Sequence, residues 1–248
     1  MTNDVALEIT GLNKRFGGLP ATRDAHLKVK KGERRLIIGP NGAGKTTLFN
    51  QITGDLRPDS GSIRLYGEEL IGKSTSKRVA LGLSRTYQIL TLFPEDSYLH
   101  NVVLSLLGLS GEKWDFWRRL RSDGEIRDRA FEALRRVGLA DRANTKVSET
   151  AYGERRRLEL AMALAQNPKV LLLDEPLAGL SQPERRSVQE LLSVMPADMA
   201  IVMIEHDMDV ALAFAQQITV LNFGHVALEG TRADVVADPR TKEIYLGK

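Results

Sequence analysis

Residues 39–46 of this chain read GPNGAGKT, which matches the phosphate-binding pattern G-x-x-x-x-G-K-[ST] without a mismatch. An apolar strand candidate, residues 35–38, precedes the pattern, and the residues from Thr47 onward can open a helix. This order brings backbone N–H groups and the positive end of a helix to one point. It predicts a phosphate site in which Lys45 reaches the β- and γ-phosphates and the Thr46 hydroxyl holds Mg²⁺. The residues that we expect to contact the nucleotide are Gly39, Pro40, Asn41, Gly42, Ala43, Gly44, Lys45, Thr46 and Thr47.

Length, composition and charge limit the classes of protein to which this chain can belong. The chain has 248 residues, 42% of them hydrophobic, which is enough for one large domain with a substantial core. The formal net charge of +3 is too small to argue for nucleic acid, and we expect no nucleic-acid partner. The absence of cysteine excludes disulfides and thiol catalysis. No signal peptide and no apolar run of about 20 residues is present, so we expect a soluble, cytosolic protein.

Hydrophobic patterning predicts an α/β fold. Alternating segments at residues 7–10, 25–29 and 61–66 indicate an antiparallel sheet near the N-terminus. Continuous apolar runs at residues 170–173 and 200–204 are typical of central parallel strands that are covered on both faces. From about residue 99 to residue 165 the strand signals fade, which indicates a helical lobe inserted into the α/β core.

A pair of carboxylates ends one of these buried runs. Asp174 and Glu175 directly follow residues 171–173, and the carboxyl end of a parallel strand faces the crevice where ligands bind. We expect Asp174 to hold Mg²⁺, through water, and Glu175 to act as the general base on an attacking water. His206 ends the next strand candidate, where a phosphate contact competes with an ordinary structural role.

With these motifs in order along nearly its whole length, the chain resembles the nucleotide-binding subunits of ABC transporters. Phe16 stands where the family stacks an aromatic ring on adenine, and Gln88 where it places a glutamine that touches Mg²⁺ and the membrane subunit. Asp174 and Glu175 match the Walker B pair, and His206 matches the switch histidine. The signature segment and the D-loop match residues 150–154 and 178–181.

The resemblance implies a P-loop NTPase (RecA-like) core with an N-terminal antiparallel β-subdomain and an inserted α-helical subdomain. We expect the core in residues 1–88 and 166–248 and the helical signature subdomain in residues 89–165. It also implies an ATP hydrolase that uses ATP and Mg²⁺, with Glu175, His206 and Gln88 as catalytic residues. The metal would be held by Thr46, Gln88 and Asp174.

The signature segment departs from the family's commonest form, Leu-Ser-Gly-Gly-Gln. Ala151 stands at the serine position and Tyr152 at the first glycine, so a hydroxyl contact to phosphate is missing. The amides that open the following helix remain, and we expect Ala151, Tyr152, Gly153 and Glu154 to contact nucleotide less strongly. This variant resembles the ATPases of branched-chain and other hydrophobic amino-acid importers.

In the family, each ATP is held between the phosphate loop of one chain and the signature segment of another. The resemblance therefore implies a second nucleotide-binding subunit in a homo- or heterodimer, integral membrane permease subunits and, indirectly, a solute-binding protein. It places the chain at the cytoplasmic face of the plasma membrane, held there by the permease. Two alternatives stay open: an ATPase of a lipid or lipopolysaccharide exporter, and a soluble ABC ATPase without a transport role.

Overall fold

The computed structural model of the protein describes residues 4–86, 92–108, 124–205 and 214–246. The chain divides into two compact units. The first comprises Met1–Arg85, Lys169–Pro176 and Met195–Lys248, and the second comprises Thr86–Pro168 and Leu177–Val194.

An antiparallel sheet of four strands lies in the first unit, in the order β2-β1-β4-β5. Strand β1 (Val5–Phe16) buries Leu7 and Ile9 on one face of this sheet. On the other face its Glu8 lies opposite Lys28 and Arg64, as the predicted alternation requires. The strand signals at residues 7–10, 25–29 and 61–66 are thus confirmed. The strands are β1 (Val5–Phe16), β2 (Leu19–Lys30), β4 (Ser60–Leu65) and β5 (Glu68–Glu69).

A second sheet of six strands, in the order β10-β9-β3-β8-β7-β6, carries the nucleotide-loop motif. Strands β6, β7, β8, β3 and β9 run parallel, and β10 adds an antiparallel edge. Every residue of β7 and of β8 is buried, so both faces of the sheet are covered there, as predicted. The strands are β3 (Arg34–Ile38), β6 (Leu83–Arg85), β7 (Val170–Asp174), β8 (Ala200–Ile204), β9 (Gln217–Asn222) and β10 (His225–Gly230).

One apolar core joins both sheets of the first unit to helix α1 (Lys45–Thr53). Leu48, Phe49 and Ile52 of α1 are buried there with side chains of β1, β3 and β7. This packing fixes α1 directly behind the loop that leads out of β3. The other helices of this unit are α2 (Thr75–Ala80), α7 (Arg232–Ala237) and α8 (Pro239–Leu246).

The second unit is helical in its described residues. The loss of strand signals predicted helices for residues 99–165, and residues 177–194, which we expected in the core, also belong to this unit. Tyr98, Ala130, Leu134 and Leu158 are fully buried and belong to three of its helices. Its helices are α3 (Tyr98–Leu107), α4 (Gly124–Arg136), α5 (Tyr152–Ala165) and α6 (Gln182–Ser193), with 3-10 turns at Ala140–Arg142 and Val147–Glu149. Across the part of the chain that the structure describes, no helix is both long enough and apolar enough to cross a bilayer.

Candidate nucleotide site

Strand β3 leads into the predicted phosphate loop, and α1 begins at Lys45 within the motif. The residue before the helix, Gly44, has a φ of 100° and offers no side-chain cap, and the first turn carries no acidic residue. The first N–H groups of α1 are therefore left without a side-chain partner of their own, as an anion site at a helix N-terminus requires.

Two glycines of the loop serve different purposes. Gly39 has a φ of 152°, and a Cβ there would lie 2.2 Å from the carbonyl oxygen of Leu221 on β9. Gly42 has a φ of 79°, but a Cβ there would meet no atom within 4 Å. Gly39 thus lets the loop pack against the sheet, whereas Gly42 is exposed and keeps the outer side of the loop open.

Lys45 places its ammonium group inside the loop. Its Nζ donates hydrogen bonds to the carbonyl oxygens of Gly39, at 2.7 Å, and Pro40, at 3.1 Å. Burial lowers the pKa of Lys45, and the negative charges of Glu175 and Asp174 partly oppose that shift. The two carboxylates therefore lie close enough to act on this ammonium group electrostatically.

The carboxylate pair occupies the end of β7. Asp174 is fully buried and is paired with Ile204 in the β7–β8 ladder. Glu175 follows with a φ of 48°, in the left-handed region that β-strand residues avoid, and its N–H donates to the carbonyl oxygen of Ile204 at 3.0 Å. A non-glycine residue held in that region is strained, and such strain is concentrated at functional sites.

An arginine that the sequence analysis did not single out binds the first of these carboxylates. Arg85 is the last residue of β6, and its Nη2 donates to Oδ2 of Asp174 at 2.6 Å. The two residues are 89 positions apart in the chain, so no local pattern could have joined them. The only feature of the sequence that could have indicated a role for Arg85 was its position three residues before Gln88.

The signature segment opens helix α5 in the second unit. Ala151 is the N-cap residue, has no side-chain cap hydrogen bond, and is followed by the exposed Tyr152. A Cβ on the buried Gly153 would lie 2.2 Å from Oε1 of Glu184, which belongs to α6. Glu184 was also missed by the sequence analysis, and its carboxylate supplies the negative charge that this helix N-terminus favours.

The remaining predicted residues fall into two groups. Phe16 ends β1 and is 53% exposed, so its ring is accessible for stacking. The Nζ of Lys14 lies 5.9 Å from the centre of that ring. Gln88 and His206 lie outside the described residues. In the described ranges, no group of three or more His, Cys, Asp or Glu side chains is placed to hold a metal.

These features define a P-loop nucleotide-binding protein: a parallel sheet, a glycine loop between β3 and α1, and carboxylates at the end of a neighbouring strand. Comparison with known proteins identifies the family. Residues 22–178 match the pattern of the family described as "ABC transporter". The chain therefore belongs to the ABC transporter family and is an ATP hydrolase of that family.

Relatives and solved structures agree along nearly the full length. The chain is 37% identical to the "High-affinity branched-chain amino acid transport ATP-binding protein BraF" of Pseudomonas aeruginosa, over 98% of each chain. It resembles the ADP conformation of MJ1267, an ATP-binding cassette of an ABC transporter, with a TM-score of 0.87, 28% identity and coverage of 98% and 99%. It also resembles a dimeric, post-hydrolysis structure of the cassette MJ0796 bound to ADP and Pi, with a TM-score of 0.77, 26% identity and coverage of 91% and 98%.

Proposed function

We propose that this chain hydrolyses ATP at a head-to-tail dimer interface and thereby powers an importer of branched-chain or related hydrophobic amino acids. The observation that carries the proposal is the full-length similarity to BraF, together with a phosphate loop whose lysine lies near two carboxylates. The transported substrate is taken from the name of that relative, since no residue of this chain is expected to touch it.

In this proposal the residues of the loop bind the phosphates of ATP. Lys45 exchanges its hydrogen bonds to the carbonyl groups of Gly39 and Pro40 for phosphate oxygens, and the amides at the start of α1 donate to the same oxygens. Phe16 stacks on the adenine ring, because its side chain is exposed and held at the end of β1.

The donor set of this site suits Mg²⁺. The hydroxyl of Thr46 and the carboxylate of Asp174 are hard oxygen ligands, and a small number of protein ligands is typical where phosphates and water complete the shell. Thr46, Asp174 and Gln88 would hold the ion. When bound, Mg²⁺ neutralises the charge that develops on the transferred phosphoryl group.

Glu175 is the proposed general base. Its backbone has a left-handed φ and its N–H bonds to the carbonyl oxygen of Ile204, so its side chain leaves the backbone differently from that of a regular strand residue. A carboxylate at this point takes a proton from water as the water attacks the γ-phosphate. His206 is proposed to contact that phosphate.

A second nucleotide-binding chain is proposed to complete each site through its own residues 151–154. The dimeric structure of MJ0796 with ADP and Pi supports the pairing of two such chains, since this chain resembles that cassette over 91% of its length. The signature helix begins at Tyr152 after an alanine N-cap. The N–H of Gly153 already bonds to Glu184 and that of Glu154 donates to the carbonyl oxygen of Ala151, so we propose a weaker phosphate contact there.

The membrane partners would bind near residues 92–103. Phe93 is 54% exposed. Its backbone is fixed by the side chain of the buried Asn101, which accepts a hydrogen bond from the Phe93 N–H at 2.8 Å and donates one to the Phe93 carbonyl oxygen at 3.1 Å. An aromatic side chain on a rigid backbone is a good anchor for a protein partner. Permease subunits docked there would hold the chain at the cytoplasmic face of the plasma membrane, with a solute-binding protein on the far side.

Reconstitution with the permease pair and the binding protein tests the proposal. Vesicles that contain the native chain should accumulate radiolabelled leucine when Mg-ATP is supplied on its side, and vesicles with Lys45→Ala should not. Phe93→Asp should lower uptake and leave nucleotide affinity intact, whereas Phe131→Asp, an exposed aromatic on α4, serves as the matched control. ATP-dependent release of lipid without leucine uptake would instead favour the exporter alternative.

A further inference from the structure

We propose that Arg85 is the resident counter-ion of Asp174 and that its charge sets how tightly the nucleotide site takes up Mg²⁺. The inference rests on the proposed function, because it takes Asp174 to be the carboxylate on the Mg²⁺ side. Arg85 is therefore a positioning residue that acts on the metal through Asp174.

The contact between the two side chains is short and almost completely buried. Nη2 of Arg85 lies 2.6 Å from Oδ2 of Asp174, and the side chains are 4% and 1% exposed. A negative charge buried this deeply is very unfavourable without a nearby positive charge, and the guanidinium group of Arg85 supplies that charge.

The guanidinium group is held on its other side by α1 and the turn after it. Nη1 of Arg85 donates to Oδ1 of Asn50 at 2.6 Å and lies 3.6 Å from Oδ2 of Asp55. The ring centre of Phe49 is 5.5 Å from the central guanidinium carbon, within range of a cation–π contact. Arg85 is thus fixed relative to both the helix of the phosphate loop and the strand that ends in Asp174.

Two cations would act on one carboxylate when Mg²⁺ binds. The fixed guanidinium charge already offsets much of the negative charge on Asp174, and it would repel a second cation held by the same carboxylate. Removing only that charge should therefore destabilise the nucleotide-free protein and strengthen its hold on Mg²⁺. If Arg85 had only a structural role, its removal would lower the stability of the protein and would either weaken Mg²⁺ binding or leave it unchanged.

The test measures binding of a fluorescent, non-hydrolysable ATP analogue while free Mg²⁺ is titrated. In Arg85→Met the half-saturating Mg²⁺ concentration should fall by roughly threefold to tenfold, the size expected for one charge at this range in a partly screened site. Its nucleotide-free melting temperature should fall, and the rise in melting temperature on adding Mg²⁺ with nucleotide should exceed that of the native protein.

Two matched variants separate charge from geometry. Arg85→Lys keeps the charge and should stay within about twofold of the native Mg²⁺ requirement, even though its single ammonium cannot reproduce the fork geometry. Asn50→Ala removes one partner of Arg85, leaves the pair with Asp174 intact, and should also keep the native requirement. If Arg85→Met does not fold, Arg85→Gln makes the same comparison, because it is neutral and its amide can still bond to Asp174.

An unchanged or higher Mg²⁺ requirement in the neutral variant would overturn the inference. Asp174→Asn distinguishes that failure from a failure of the proposed function. If Asp174→Asn raises the Mg²⁺ requirement while the neutral Arg85 variant does not lower it, the metal assignment stands and the counter-ion role is wrong. If Asp174→Asn leaves the requirement unchanged, Asp174 does not serve the metal and both proposals fall together.

Discussion

The ammonium group of Lys45 donates a 2.7 Å hydrogen bond to the carbonyl oxygen of Gly39, the first residue of the same phosphate loop. A charged side chain thus lies within the loop that is proposed to receive phosphate. Burial lowers its pKa, and the charges of Glu175 and Asp174 offset that shift only in part, so the protein holds this positive charge at a cost when no phosphate is bound. Phosphate oxygens relieve that cost when they bind.

We therefore expect Lys45→Ala to lose the stabilisation that nucleotide confers. At a ligand concentration of about 100 times the dissociation constant, the native protein should gain ~2.7 kcal/mol from Mg-ATP analogue, measured as a rise in melting temperature. Lys45→Ala should show almost no rise and no turnover. Lys73→Ala, which removes a lysine paired with Glu68 elsewhere in the same unit, should behave like the native chain. Native-like turnover in Lys45→Ala would rule out the loop as the phosphate site.

Glu175→Gln tests the general base. The substitution keeps the shape of the side chain and removes its negative charge, so turnover should fall by roughly 10²–10⁴-fold, the usual span for losing a general base. ATP binding should survive because Lys45 and the loop amides are untouched. The ATP-bound dimer should then accumulate and be seen by size-exclusion chromatography, and adding Lys45→Ala should reverse it. A Glu175→Gln variant that binds ATP without turnover and stays monomeric at high concentration would contradict the head-to-tail arrangement for the isolated chain.

Gly39→Ala and Gly42→Ala should fail in different ways. The Cβ at position 39 would lie 2.2 Å from a backbone oxygen, so this variant should be strongly destabilised or unfolded. The Cβ at position 42 meets no atom, so that variant should fold with a loss of roughly 1 kcal/mol from its left-handed backbone and should bind nucleotide more weakly. Thermal unfolding and nucleotide titration of both variants check this. Equal losses of stability at the two positions would contradict the different roles assigned to them.

Glu184→Gln tests a carboxylate that caps its own helix α6 through Ser181 and also contacts the start of α5. The hydroxyl and N–H of Ser181, and then the N–H of Gly153, lower the pKa of Glu184 from 4.5. A carboxyl whose folded-state pKa is lowered contributes stability above its unfolded value and loses it as the pH falls through the folded value. Glu184→Gln should thus be less stable than the native protein at pH 7, with the difference shrinking below pH 4.5. Glu190→Gln, an exposed residue of the same helix, is the control, and a difference independent of pH would contradict a role for the ionised carboxylate.

Phe16→Ala should weaken ATP binding without affecting the fold. Loss of one stacking partner, worth about 0.5–1.5 kcal/mol, predicts roughly a twofold to twelvefold rise in the dissociation constant for ATP. Phe16→Trp should retain native affinity. Leu19→Ala removes an exposed apolar side chain from the same hairpin and should leave affinity unchanged. Equal weakening in the leucine variant would show that the hairpin, and not the aromatic ring, sets the affinity.

The fold class and the family followed from sequence because their signals are local. The loop motif, its preceding strand and its following helix occupy consecutive residues, and the buried strands are short, uninterrupted apolar runs that are visible in the sequence. The structure confirms the parallel core, the antiparallel sheet and the helical middle of the chain. The roles assigned to Gln88 and His206 stay predictions, since both lie outside the described residues.

Only the tertiary structure decided which residues that are far apart in the chain contact one another. Arg85 and Asp174 meet because β6 and β7 are neighbours in a parallel sheet, although 89 positions separate them. Gly153 and Glu184 meet because α6 returns to the start of α5. Glu175 likewise combines a left-handed backbone with a hydrogen bond from its N–H to Ile204 on β8. Sequence patterns report what a residue and its near neighbours favour, whereas these partners were chosen by the pairing of strands and helices.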